Sequence, residues 1–243
     1  MMLLHRRDPG GNENFLAVSG GVGQIWSVIF LVFILSVSAC KPITIVPDTT
    51  WKPSGAHKIL VLPFVDMAAI YGENVSVRCM VCGAILTTGK VEKDAVNLLS
   101  DHLTSVLLLR KDFIPIPSSQ AQGLLPSFSS GKGGQLSELE ELVATGRALD
   151  ADSVLVGHIF RYQERAGTRY AVDTPASVAF DVDIIGIKEN RVVWSGLFNE
   201  TQQSLFENLF NLGSFLKRKG TFITAKEMAF SGLEELFQKL PAK

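Results

Sequence analysis

The chain has 243 residues, with 23 Lys and Arg against 24 Asp and Glu, and three cysteines. That length suits one domain with appendages, and a net charge of −1 gives no electrostatic case for nucleic acid. Apolar residues make up 47% and charged residues 19%, which excludes wholesale disorder and permits a sizeable core.

The first distinctive segment is Ile25 to Val37, an apolar run interrupted only by Ser27 and Ser36. It is long enough for the apolar region of a signal peptide and short of the ~20 residues that span a bilayer as a helix. The run ends in Val37-Ser38-Ala39-Cys40. Small residues before a cysteine fit a narrow peptidase pocket, and the thiol is the nucleophile that would accept a diacylglycerol. This resembles the lipobox of bacterial lipoproteins, with Val37 where Leu is commoner. Arg6 and Arg7 lie far upstream, behind the polar stretch from Asp8 to Gln24. An uncleaved signal anchor and a buried apolar segment are therefore the alternatives. The expected organisation is a signal peptide over 1–39, a Pro-spaced tether over 40–56 (Pro42, Pro47, Pro53) and a folded domain over 57–243. Removing 1–39 takes away Arg6, Arg7, Asp8 and Glu13 and leaves the charge balance unchanged.

Within the domain, Ile59 to Val65 reads as a strand buried on both faces. Val91 to Arg110 repeats apolar groups at helical spacing, with Glu92 and Asp94 in its first turn and Arg110 and Lys111 at its end. Phe113 to Pro117 reads as a strand whose prolines suit an edge. A short helix and the Ser/Gly linker from Ser127 to Gln135 follow. Ser137 and Glu140 form a capping-box pattern that opens another helix. Asp152 to Tyr162 reads as a strand. Ser177 to Ile187 alternates Val178, Phe180, Val182 and Ile184 with Ala179, Asp181 and Asp183, the pattern of a half-buried strand. Arg191 to Phe198 is its hairpin partner across a turn at Lys188 to Asn190. Ser204 and Glu207 mark a short capped helix. A second capping box, Thr224 and Glu227, opens a terminal helix with one apolar face from Ala225 to Leu240, and Ile223 can staple onto Met228. This order of elements predicts one α/β domain with a mixed sheet flanked by helices.

Three of these stretches carry a resemblance: Lys58 to Phe64 (KILVLPF), Ala148 to Ile159 (ALDADSVLVGHI) and the hairpin from Val178 to Gly196 ending Val-Val-Trp-Ser-Gly. Their order and spacing resemble a group of bacterial envelope lipoproteins. It includes the curli-secretion lipoprotein, lipoprotein activators of penicillin-binding proteins and a lipoprotein of exopolysaccharide export. The resemblance implies a three-layer α/β/α-like domain, a lipid tether on the periplasmic face of the outer membrane and a non-catalytic role. The chain departs from the pattern at Gly186-Ile-Lys-Glu-Asn190 and in the loop that holds Cys79 and Cys82.

Cys79-Met-Val-Cys82 is the sharpest local motif. A C-x-x-C pair serves as a structural disulfide, half of a zinc site or a redox dithiol. Zinc needs further ligands, and His57, His102 and His158 show no paired ligand spacing, so a disulfide is the simplest expectation in an oxidising compartment. His102 falls on the apolar stripe of its helix and reads as a hydrogen-bonded core histidine. Asp181 and Asp183 share one strand face and read as solvated. Lys217-Arg218-Lys219 reads as a solvated turn, and Ser130-Gly-Lys-Gly-Gly134 lacks the residues of a phosphate loop. With no nucleophile elbow, zincin motif or triad, the expectation is a non-enzymatic, cofactor-free module that binds envelope proteins. A zinc- or redox-active protein built on Cys79 and Cys82 is the alternative. The stretch from Leu205 to Leu212 is too apolar for one core face of so short a helix, so Phe206 and Phe210 are the expected homo-oligomer contacts, the alternative being that the C-terminal helix or the loop around Phe215 covers them within the same chain.

Overall fold

The computed structural model describes residues 43–47, 51–53, 57–78, 83–122, 138–167, 172–202 and 223–242. The central strand is β7 (Ser153–Gln163), whose branched and aromatic residues are buried almost throughout. Parallel to it run β2 (His57–Val61) and β3 (Val65–Asp66), so the stretch expected as one strand is two. Pro63 stands between them and cannot donate to a ladder. Beyond β2, and parallel to it, lies β6 (Phe113–Pro117), the edge the prolines predicted. On the other side of β7 come β10 (Ser177–Gly186) and β11 (Arg191–Thr201), an antiparallel hairpin. The opposite edge is β1 (Ile43–Pro47), antiparallel to β11. Among the described residues the mixed sheet thus has the order β1-β11-β10-β7-β2-β6, with β3 also beside β7.

The edge strand β1 lies in the stretch expected to be a tether. Its register, from Ile43 opposite Phe198 to Pro47 opposite Trp194, makes it part of the sheet. Trp51 is buried as well and meets the His57 ring edge-on at 5.7 Å. The residues 43–47 and 51–53 therefore belong to the folded body rather than to a free linker.

Helices cover both faces. On one side α2 (Ala95–Leu108) and α4 (Ala225–Gln238) pack on Val178, Phe180, Val182 and Ile184 of β10 and on Trp194 and Phe198 of β11. The helix α2 is shorter than the apolar period predicted. Val91 instead bridges to Tyr162, and Glu92 and Asp94 precede the first turn. The capping box on α4 is formed as expected, and Ile223 packs on the same apolar cluster as Met228. On the other side α3 (Glu138–Ala148) brings Leu142 and Val143 against Val154, Val156 and Ile185. The rest of that face is closed by α1 (Met67–Tyr71) and a small hairpin, β4 (Ser76–Arg78) with β5 (Ile85–Thr87), which the sequence did not announce. Their Met67, Val77 and Leu86 meet Phe160 and Ala179. A two-stranded ribbon, β8 (Ala166–Gly167) with β9 (Val172–Thr174), joins β7 to β10. A short 3-10 turn at Ser118–Ala121 stands where a helix was expected. The architecture is the expected α/β domain, a mixed sheet between two helical layers.

A buried His–Asp cluster as the candidate functional site

On the face covered by α3 and α1, the side chains of β7 and β10 change from apolar to polar and back. His158 lies between Val156 and Phe160 on its strand, and Asp181 and Asp183 lie between Ala179 and Ile185 on the next. Antiparallel pairing sets Asp181 directly opposite His158, with Asp183 one step further on the same face, opposite Ser195 of β11. The cluster therefore separates two apolar patches of one face.

Asp181 and Asp183 are fully buried, which corrects the expectation of a solvated strand face. Every position of β10 is buried, so the strand is not half-buried either. The physical reason is layering. Alternation separates the two faces of a strand without saying that either meets water, and here both faces are covered. Burying carboxylates is costly unless they are hydrogen-bonded and charge-compensated. Asp181 Oδ1 accepts from the backbone N–H of His158 at 3.2 Å and lies 2.7 Å from its ring Nδ1. The other ring nitrogen, Nε2, lies 3.7 Å from Glu138 Oε1, at the first residue of α3. Burial favours the neutral ring, yet the Asp181 carboxylate, aided by Glu138 and Asp183, outweighs it and holds the His158 pKa well above its ordinary value. His158 thus sits between carboxylates of β10 and α3, linking α3 to the sheet centre.

Both ring nitrogens face carboxylates, Nδ1 at 2.7 Å and Nε2 at 3.7 Å, and the residue is 4% exposed. One donor atom each from His158, Asp181 and Asp183 lies within 4.8 Å of the others, the grouping among the described residues that could hold a metal ion. Sequence reasoning placed both aspartates on one strand face but missed their partner. The signal lay 23 residues away in a histidine inside an otherwise apolar strand, and only the strand register joins the two.

The remaining candidate residues separate. His102 lies between the helices of the other face, its ring stacked on Phe230 at 3.7 Å and its Nε2 3.3 Å from Glu234. His57 is buried, with Nε2 2.9 Å from Ser153 Oγ. Cys40, Cys79, Cys82, Phe206 and Phe210 lie outside the described residues, as do Ser137, Lys217-Arg218-Lys219 and Ser130-Gly-Lys-Gly-Gly134.

No protein-family profile matches the chain, and no curated protein matches it. Among solved structures, the PelC dodecamer from Paraburkholderia phytofirmans is 12% identical with a TM-score of 0.47, covering 83% of this chain and 98% of that one. Lipoprotein GNA1162 from Neisseria meningitidis is 12% identical with a TM-score of 0.37, covering 67% and 96%. The LpoB C-terminal domain from Escherichia coli is 13% identical with a TM-score of 0.35, covering 60% and 84%. These values describe a loose similarity of outline.

Proposed function

We propose that the chain is a bacterial envelope lipoprotein, lipidated at Cys40 and facing the periplasm from the outer membrane, whose α/β domain binds other envelope proteins without catalysis. The observation that carries the reading is the coincidence of Val37-Ser38-Ala39-Cys40, at the end of an apolar run, with a folded edge strand that begins at Ile43. Only Lys41 and Pro42 separate the proposed lipid from the sheet. At ~3.5 Å per extended residue, the domain would stand off its anchor by about 10 Å at that edge. Such a module presents its surface to membrane-bound neighbours rather than reaching far into the periplasm. The absence of a catalytic motif in the sequence, and a His–Asp cluster closed by its own carboxylates, favour binding over chemistry.

The test is cross-linking in living cells followed by purification of the acylated protein, with Cys40→Ala as control. The reading expects palmitate incorporation and discrete envelope-protein adducts in the wild type, both lost in the variant. Adducts that persist unchanged without acylation would contradict it. Self-association through Phe206 and Phe210 belongs to the same reading. Phe206→Ser with Phe210→Ser should convert a multimer seen by sedimentation into a folded monomer, and a monomeric wild type would end that part of the proposal.

A further inference from the structure

We propose that His158, Asp181 and Asp183 form a buried site for a divalent transition-metal ion of the zinc class, which fastens β7 to β10. The proposal concerns stability and stands independently of the function above. Its first support is donor chemistry. One imidazole nitrogen with two carboxylate oxygens suits zinc, manganese or ferrous iron, whereas magnesium and calcium favour all-oxygen shells.

The second support is placement. The three residues stand on adjacent antiparallel strands at the centre of the sheet, where register and not a loop fixes their spacing. Neighbouring donors around an ion with bonds of about 2.1 Å sit roughly 3–3.5 Å apart. The observed donors lie within 4.8 Å of one another, and the closest pair, His158 Nδ1 and Asp181 Oδ1, is at 2.7 Å. The proposal requires the donors to draw together around the ion from that spacing.

The third support is an outer partner. A metal-binding histidine characteristically turns its other ring N–H to a carboxylate, which fixes its orientation. With Nδ1 on the Asp181 side, Nε2 faces Glu138 at 3.7 Å. The backbone N–H of His158 also reaches Asp181 Oδ1 and orients that carboxylate. Burial among apolar clusters on both sides strengthens every charge interaction in the cluster. Binding needs no redox change: the ring gives up its Nδ1 proton to solvent as the ion takes the nitrogen lone pair.

The experiment uses the full-length chain in detergent, stripped with a chelator and then titrated with zinc chloride and with manganese chloride. Calorimetry and elemental analysis give stoichiometry, and X-ray absorption of the loaded protein gives the donor atoms. The proposal expects one ion per chain, a higher thermal midpoint and a nitrogen/oxygen shell without sulfur. Asp183→Asn should weaken binding by at least the 10- to 100-fold that even outer-shell changes cause, and Glu138→Gln should weaken it less. No binding of either ion, unchanged affinity in Asp183→Asn, or a sulfur shell lost in Cys82→Ser would each overturn it. If Asp183→Asn does not fold, the absorption spectrum of the wild type decides alone.

Discussion

Two buried side chains show how single groups set the stability of this domain and its response to pH. His57 is packed between Trp51 and Phe113, each ring edge-on at 5.7 Å, and burial lowers its pKa below the ordinary 6.5. Asp152, Glu189 and Asp112 pull the other way without reversing the shift, and Lys188 adds to it. The folded protein therefore prefers neutral His57, while the unfolded chain takes up the proton near 6.5. Stability from this residue is complete above that pH and is lost as pH falls toward the lowered value. The wild type should lose stability relative to His57→Phe on acidification through that window, read from chemical unfolding at a series of pH values. A constant difference would mean the ring is already solvated. Arg110 acts close by, its guanidinium 5.6 Å from the centroid of the same Phe113 ring. It donates to both oxygens of Asp112 at 2.9 and 2.6 Å and to the carbonyls of Phe237, Leu240 and Pro241, closing the end of α4. The guanidinium holds the Asp112 pKa below its ordinary value, so this stabilisation fades only as pH falls through that lowered value. Arg110→Ala should cost about 2–4 kcal/mol, since it strands partly buried acceptors. Arg110→Lys should rescue little, because an ammonium cannot match the fork. Urea unfolding measures both.

At the scale of elements, local chemistry decides where strands stop and helices dock. His57 N donates to Asp112 O at 3.1 Å, with His57 opposite Phe113. Continuing that alternation, Ile114 and Ile116 turn their backbone groups to β2, while Phe113, Pro115 and Pro117 turn theirs to the side that no described strand pairs. The two prolines thus remove donors where a further strand would pair, a common protection for an exposed edge. Replacing both, as Pro115→Thr with Pro117→Thr, should leave the fold intact and raise self-association, measured by light scattering against the wild type. On α4, a methyl at Gly232 would come within 2.6 Å of the Phe198 ring, so Gly232→Ala should push the helix off β11 at a cost of about 1–3 kcal/mol. Elements with their own signals were legible in sequence: the α4 capping box, the proline edge and the β10–β11 hairpin. Elements that form because something else holds them were not. The strand β1 has a proline at its end and, among the described residues, pairs with β11 alone. The β4–β5 hairpin is three residues to a strand and has one buried position in each, too short for a period to show. The His–Asp cluster was half legible, because alternation sorts side chains by face while burial of that face depends on α3 and α1.

For the whole molecule, residues Lys41–Lys243 form one compact unit. The edge strand at its start changes what a lipid at Cys40 would do. A free tether of some fifteen residues would let the domain wander roughly 20 Å from its anchor, whereas with a strand that begins at Ile43 the proposed lipid would hold one edge near the bilayer. The N-terminus decides between these arrangements, and mass spectrometry of the protein isolated from membranes reads it most directly. The mature chain should begin at Cys40 and carry acyl groups there. Recovery of an intact peptide containing Met1 or Phe15 would contradict it and make the apolar run an uncleaved anchor.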